Sequence, residues 1–135
     1  MSAVENKRLM QEIYAEVAKG NGTLFVDAMA DDIRWTVTGT TPWSRTFEGK
    51  TSVLADLFRP ILDQFAGQYT YRVSRLIAEG DFVVVEFSGR NTTKAGKPYN
   101  NAYCHVCRLA GGKLKEVVEY LDTHLLANTL LPPAA

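Results

Sequence analysis

Residues 81–122 hold three stretches of alternating or continuous apolar character separated by two turns. They read Asp81-Phe-Val-Val-Val-Glu-Phe-Ser-Gly-Arg90, Tyr99-Asn-Asn-Ala-Tyr-Cys-His-Val-Cys-Arg108 and Lys113-Leu-Lys-Glu-Val-Val-Glu-Tyr-Leu-Asp122. Rich in Val, Phe and Tyr and bounded by glycine and polar residues, they predict three β-strands joined by two hairpins. A hairpin triplet cannot bury its apolar side alone, so the rest of the chain must cover it.

The preceding residues supply that cover. Leu9, Ile13, Tyr14, Val17 and Ala18 form one stripe of a helix over 5–19, which Gly20 stops. Asn21 or Thr23 can cap a short second helix over 24–29. Ile33, Trp35 and Val37 alternate with Arg34, Thr36 and Thr38, a half-buried strand. Residues 39–45 are a loop by composition, and Trp43 within it either covers a core edge or forms a lip over a cavity. Residues 47–51 lead into a third helix with Val53, Leu54, Leu57, Phe58, Ile61 and Leu62 on its apolar side, kinked or shortened by Pro60. A fifth strand covers 68–78, and one or two helical turns follow Asp122. Helices on one side of a curved antiparallel sheet make a single α+β domain over 1–135, a cone with an internal pocket.

Charge and composition narrow the function. Fifteen basic and fifteen acidic side chains cancel, so nothing suggests a nucleic-acid partner. No apolar run approaches the ~20 residues that span a bilayer, and residues 1–8 lack a signal-peptide core, so neither a membrane nor export is expected and the compartment expected is the cytoplasm. The two cysteines form Cys104-His-Val-Cys107. On a strand, positions i and i+3 lie about 10 Å apart on opposite faces, beyond the ~7 Å reach of a disulfide. His105 and His124 with Asp122 lack regular ligand spacing, so no metal is expected.

A two-residue Gly111-Gly112 turn sets a register for the last hairpin. It places Leu109 opposite Leu114, Cys107 opposite Glu116, His105 opposite Val118, Tyr103 opposite Tyr120 and Asn101 opposite Asp122. One face then gathers Asn101, Tyr103, His105, Tyr120 and Asp122, a polar set that suits a cavity better than a dry core. The other face mixes Val106, Val117 and Leu121 with Arg108, Lys115 and Glu119, and either meets solvent or packs on a second copy of the chain. The turn over 92–98 is too long to place Glu86 in the same way.

Gly-Lys-Pro-Tyr-Asn-Asn-Ala-Tyr (96–103), Arg-Leu-Ala-Gly-Gly-Lys-Leu (108–114) and Val-Glu-Tyr-Leu-Asp (118–122) resemble the SnoaL-like branch of the nuclear-transport-factor superfamily, and the resemblance extends through 31–35 and 47–49. That superfamily includes ketosteroid isomerases, SnoaL-type polyketide cyclases, scytalone dehydratase and limonene epoxide hydrolase. The resemblance implies a cone-shaped fold, a deep apolar pocket and a homodimer through the outer sheet face. Asp122 falls where the cyclases keep a proton-accepting aspartate. His105 lies where several members place a polar pocket group. Tyr14 sits on the helix from which isomerases present a phenol. The strand over 33–38 lacks the isomerase's second carboxylate, and no Asp-Arg-Asp set matches the epoxide hydrolase.

These residues outline a cofactor-free scheme. Asp122 removes a proton beside a carbonyl, while Tyr14, Tyr103 or His105 donates to the enolate oxygen. Trp35, Trp43, Asn101, Tyr103 and Tyr120 line the space for a small apolar ligand. Each has a plainer role: Asp122 as a helix cap, His105 as a bonded core histidine, Tyr14 and Trp35 as packing. A ligand carrier without catalysis, or an interaction module built on the same cone, are the other functions open to this sequence.

Overall fold

The computed structural model describes residues 1–134. Helix α1 (Ala3–Ala18) opens with a capping box: Ser2 accepts from the Glu5 amide, and the Glu5 carboxylate accepts from the Ser2 amide. Its buried stripe includes Met10, Ile13 and Tyr14. Helix α2 (Thr23–Ala28) follows, with the Asn21 side chain accepting from the Thr23 amide. The strands are β1 (Met29–Val37), β2 (Thr46–Glu48), β3 (Tyr71–Glu79), β4 (Phe82–Gly89), β5 (Asn91–Thr92), β6 (Pro98–Tyr99), β7 (Ala102–Ala110) and β8 (Lys113–Leu121).

Six of them form one sheet in the order β2-β1-β8-β7-β4-β3, while β5 and β6 pair separately. Every adjacency in the large sheet is antiparallel except β1 with β8. The expected α+β architecture is present: a curved, mostly antiparallel sheet with helices on its inner side. β2, β5 and β6 were beyond the periodicity, because two- and three-residue strands are too short to show one.

The third helical stretch has an unusual middle. Helix α3 (Lys50–Ser52) runs into a π-helical segment, Val53–Phe58, and then into α4 (Arg59–Leu62). Pro60 explains this, since it has no amide hydrogen for an α-type bond and its ring crowds the carbonyl one turn back. The Arg59 amide instead reaches Leu54 O, five residues back. Pro60 therefore widens the helix at the point where Leu57 and Phe58 turn inward.

Register in the last hairpin differs from the simple count. Gly111 and Gly112 take φ of +56° and +76°, the tight turn expected, and Ala110 pairs with Lys113. Leu109 then pairs with Leu114, but Arg108 pairs with Glu116. Lys115 is the extra residue of a β-bulge. Beyond it the strand is shifted by one, so His105 pairs with Glu119, Cys104 with Tyr120 and Tyr103 with Leu121. Val117 and Glu119 turn inward and Val118 and Tyr120 outward, the reverse of the expected faces. Strand β1 is irregular at the same place, with Met29 opposite Leu114 and Arg34 opposite Glu116. Asp31 and Asp32 swing out to solvent there, and Asp32 meets Lys115 Nζ at 2.5 Å.

Glu86 lies on the outer face, opposite Cys104, and pairs with Arg75. Cys107 is buried and Cys104 half-buried, and both are free thiols.

Candidate functional site

A cavity of about 230 Å³ lies between the sheet and the helices. At ~20–30 Å³ per non-hydrogen atom it encloses roughly eight to twelve, a one- or two-ring molecule. The walls are mostly aromatic and aliphatic: Phe25, Trp35, Trp43, Leu57, Phe58, Tyr71, Phe87 and Leu126 contribute. Among the described residues no lysine or arginine lines it.

A hydrogen-bonded chain crosses one wall. The Tyr14 hydroxyl on α1 lies 2.7 Å from His105 Nδ1 on β7. His105 Nε2 lies 2.7 Å from Glu119 Oε2 on β8. Trp35 Nε1 on β1 donates to Glu119 Oε1 at 3.2 Å. Neighbouring strand positions supply His105 and Glu119, and the bulge at Lys115 makes them neighbours. The imidazole is boxed by rings, with centroids at 4.7 Å for Phe87, 5.1 Å for Trp35 and 5.9 Å for Tyr14. Its orientation is thus held by packing as well as by both nitrogens.

A second polar group faces the same space. The Tyr69 hydroxyl donates to Tyr103 OH at 3.0 Å, which leaves the Tyr103 hydrogen to donate onward. Burial raises all of these phenols. Tyr14, Tyr69, Tyr71 and Tyr103 are pushed well above the ordinary tyrosine value, and Tyr99 up to about 12. At neutral pH they are donors, not bases. Burial likewise lifts the Cys107 thiol to about 12, so it stays protonated.

The structure brings together Tyr14, Trp35, Trp43, Tyr103 and His105 from the expected set. Trp43 is buried, lines the cavity and donates from Nε1 to Leu131 O at 2.9 Å, closing that end. Three expected residues lie elsewhere. The Asp122 side chain is the N-cap of α5 (Thr123–Thr129), accepting from the Leu125 amide at 3.1 Å, and the residue is exposed. Tyr120 is half exposed on the outer face because the bulge inverts its strand position. Asn101 is buried as a brace: its Nδ2 donates to Tyr99 OH and Asp122 O, and its Oδ1 accepts from the Asp122 and Ala102 amides. His124, on α5, is exposed and bonds to Asn128. Glu119 is the site residue that simple alternation misses, and only the bulge exposes its role.

These placements make opposite demands on two neighbours. Asn101→Ala removes the buried side chain that accepts from the Asp122 and Ala102 amides and should cost ~1–3 kcal/mol. Asp122→Ala removes only a cap and should cost ~1 kcal/mol, with binding in the cavity unchanged. Denaturant melts and a cavity-binding titration check both.

Comparison with known proteins agrees with this architecture. An NTF2-like protein from Burkholderia thailandensis E264 superposes with a TM-score of 0.80 at 23% identity, covering 94% of this chain and 98% of the other. A candidate SnoaL-like polyketide cyclase from Jannaschia sp. CCS1 gives 0.79 at 15% identity, over 95% and 92%. A candidate isomerase from Bacillus subtilis gives 0.77 at 15%, over 96% and 95%. At such identities the likeness is one of fold. No curated protein matches the sequence. The family model for the SnoaL-like domain matches residues 10–117. The chain belongs to the SnoaL-like domain family.

Proposed function

We propose that the cavity carries out cofactor-free proton transfer on a small apolar carbonyl compound, with Glu119 as the base. The observation that supports this most is the Glu119 carboxylate, bonded to His105 at 2.7 Å within a wall otherwise apolar or aromatic. Two of its lone pairs are engaged by His105 and Trp35, and the others are free to take a proton. His105 has both ring nitrogens occupied, by Glu119 and by Tyr14. It is a positioning residue that holds the carboxylate in place. The Tyr103 hydroxyl, backed by Tyr69, is the donor for the oxygen on which enolate charge collects. Isomerisation, aldol-type cyclisation and dehydration share this first step, and Asp122 has no part in it.

A rigid one- or two-ring ketone with acidic C–H bonds, 2-indanone, is a suitable probe. Its exchange in deuterium oxide, followed by proton NMR, should be accelerated by the protein. Glu119→Gln should reduce the acceleration ~10²–10⁴-fold while thermal stability stays within a few degrees. Exchange unaffected by that change would remove Glu119 from the chemistry. Binding of the ketone without any acceleration would make the cavity a carrier site.

The same reading takes the protein as a homodimer through the outer sheet face. Ile77, Val84, Val106 and Val118 stand side by side across four strands. Phe82 and Tyr120 lie exposed on either side of this row, which is flanked by the ion pairs Arg75–Glu86 and Arg108–Glu116. An apolar row with mixed charges on both sides is self-complementary about a two-fold axis. Val106→Glu should convert a dimer to a monomer in sedimentation velocity, and a wild-type monomer at micromolar concentration would refute the interface.

A further inference from the structure

Among the described residues the cavity has one carboxylate and no lysine or arginine to match it. Its titratable lining, among the described residues, comprises five phenols, the His105 imidazole and the Glu119 carboxylate. With Tyr14 O–H donating to His105 Nδ1, His105 Nε2–H donates to Glu119 Oε2 and Trp35 N–H to Oε1. Each of those protons then has an acceptor, and each donor is a neutral group. A protonated His105 fits less well. Its Nδ1–H would claim the Tyr14 oxygen and leave the phenol hydrogen only Cys107 Sγ, at 3.8 Å and a weak acceptor. The favoured arrangement leaves the negative charge of Glu119 uncancelled, which an apolar wall makes costly.

The surrounding rings add to this. Tyr14, Trp35, Phe58, Phe87 and Tyr103 all line the same space as Glu119. Aromatic faces carry negative potential and attract cations, most strongly where water is excluded. A carboxylate among aromatic rings is the complement of an organic cation and repels an anion.

We infer that the cavity binds an apolar amine, its ammonium group against Glu119 and its hydrocarbon part among the aromatic side chains. This rests on the ionised Glu119 of the proposed function but not on proton abstraction. An amine of the right size is a ligand of the same cavity and a competitor of any carbonyl substrate there. A carboxylate of the same shape is rejected.

Four molecules with one carbon frame separate the possibilities: 2-aminoindane, 2-indanol, 2-indanone and indane-2-carboxylate. Calorimetric titration at neutral pH should show 2-aminoindane at least tenfold tighter than 2-indanol, and the carboxylate at least tenfold weaker. Glu119→Gln should erase the preference for the amine, and Glu119→Asp, which keeps the charge, should retain it. 2-Aminoindane should also displace 2-indanone. An amine no tighter than the alcohol, or a preference that survives Glu119→Gln in folded protein, overturns the inference. If 2-indanone exchanges deuterium while the amine shows no preference, the amine site alone fails. If the amine is preferred and the ketone does not exchange, the proton-transfer function fails and the amine site stands. If none of the four binds, both fail.

Discussion

One extra residue in the last strand decides what this cavity contains. Lys115 bulges out of β8, and every later side chain on that strand changes face. Glu119 moves from the outer surface to the wall beside His105, and Tyr120 moves the other way. The bulge is held from both sides. Leu114 remains buried before it and Val117 after it, while Lys115 itself pairs with Asp32 on a stretch of β1 that is irregular at the same level. A largely buried carboxylate such as Glu119, its side chain 15% exposed, is tolerable only when its lone pairs are met. His105 and Trp35 meet two of them, so the bulge, the histidine and the tryptophan form one device.

The remaining wall is built to be dry and rigid. Phe87 stacks on Tyr103 with centroids 4.7 Å apart, and Phe58 meets the face or edge of Trp35 at 4.9 Å. Such contacts fix ring positions with few rotatable bonds. Pro60 contributes from the opposite side, since the π-helical turn it imposes sets Leu57 and Phe58 into the space. Trp43 shuts the far end through its bond to the C-terminal backbone. A preorganised polar pair inside such a wall is what differential binding of a charged ligand or transition state requires.

Much of this was legible in the residues. Apolar patterns located the five long strands, β1, β3, β4, β7 and β8, and the first half of the site, His105 and Tyr103. The bulge was not legible, for a specific reason. Simple alternation in β8 buries Leu114, Glu116, Val118 and Tyr120, whereas the bulged strand buries Leu114 and Val117 and turns Glu119 and Leu121 inward. Each pattern sends one glutamate inward, so apolar counting cannot choose between them. Asp122 illustrates the converse. Its position before a short helix fitted both a base and a cap, and only the Leu125 amide distinguishes the two. The family resemblance located the fold and pointed to Asp122, which caps α5, rather than to Glu119, which lines the cavity.

The pairing of His105 with Glu119 can be observed directly. Nitrogen-15 NMR of the imidazole should show a slowly exchanging, strongly downfield proton on Nε2 and an unprotonated Nδ1 accepting from Tyr14. That proton should lose its protection in Glu119→Ala and keep it in Glu116→Ala. A ring in fast exchange with solvent, or a proton that depends on Glu116 and not on Glu119, would show that β8 runs without its bulge and that the cavity has no carboxylate.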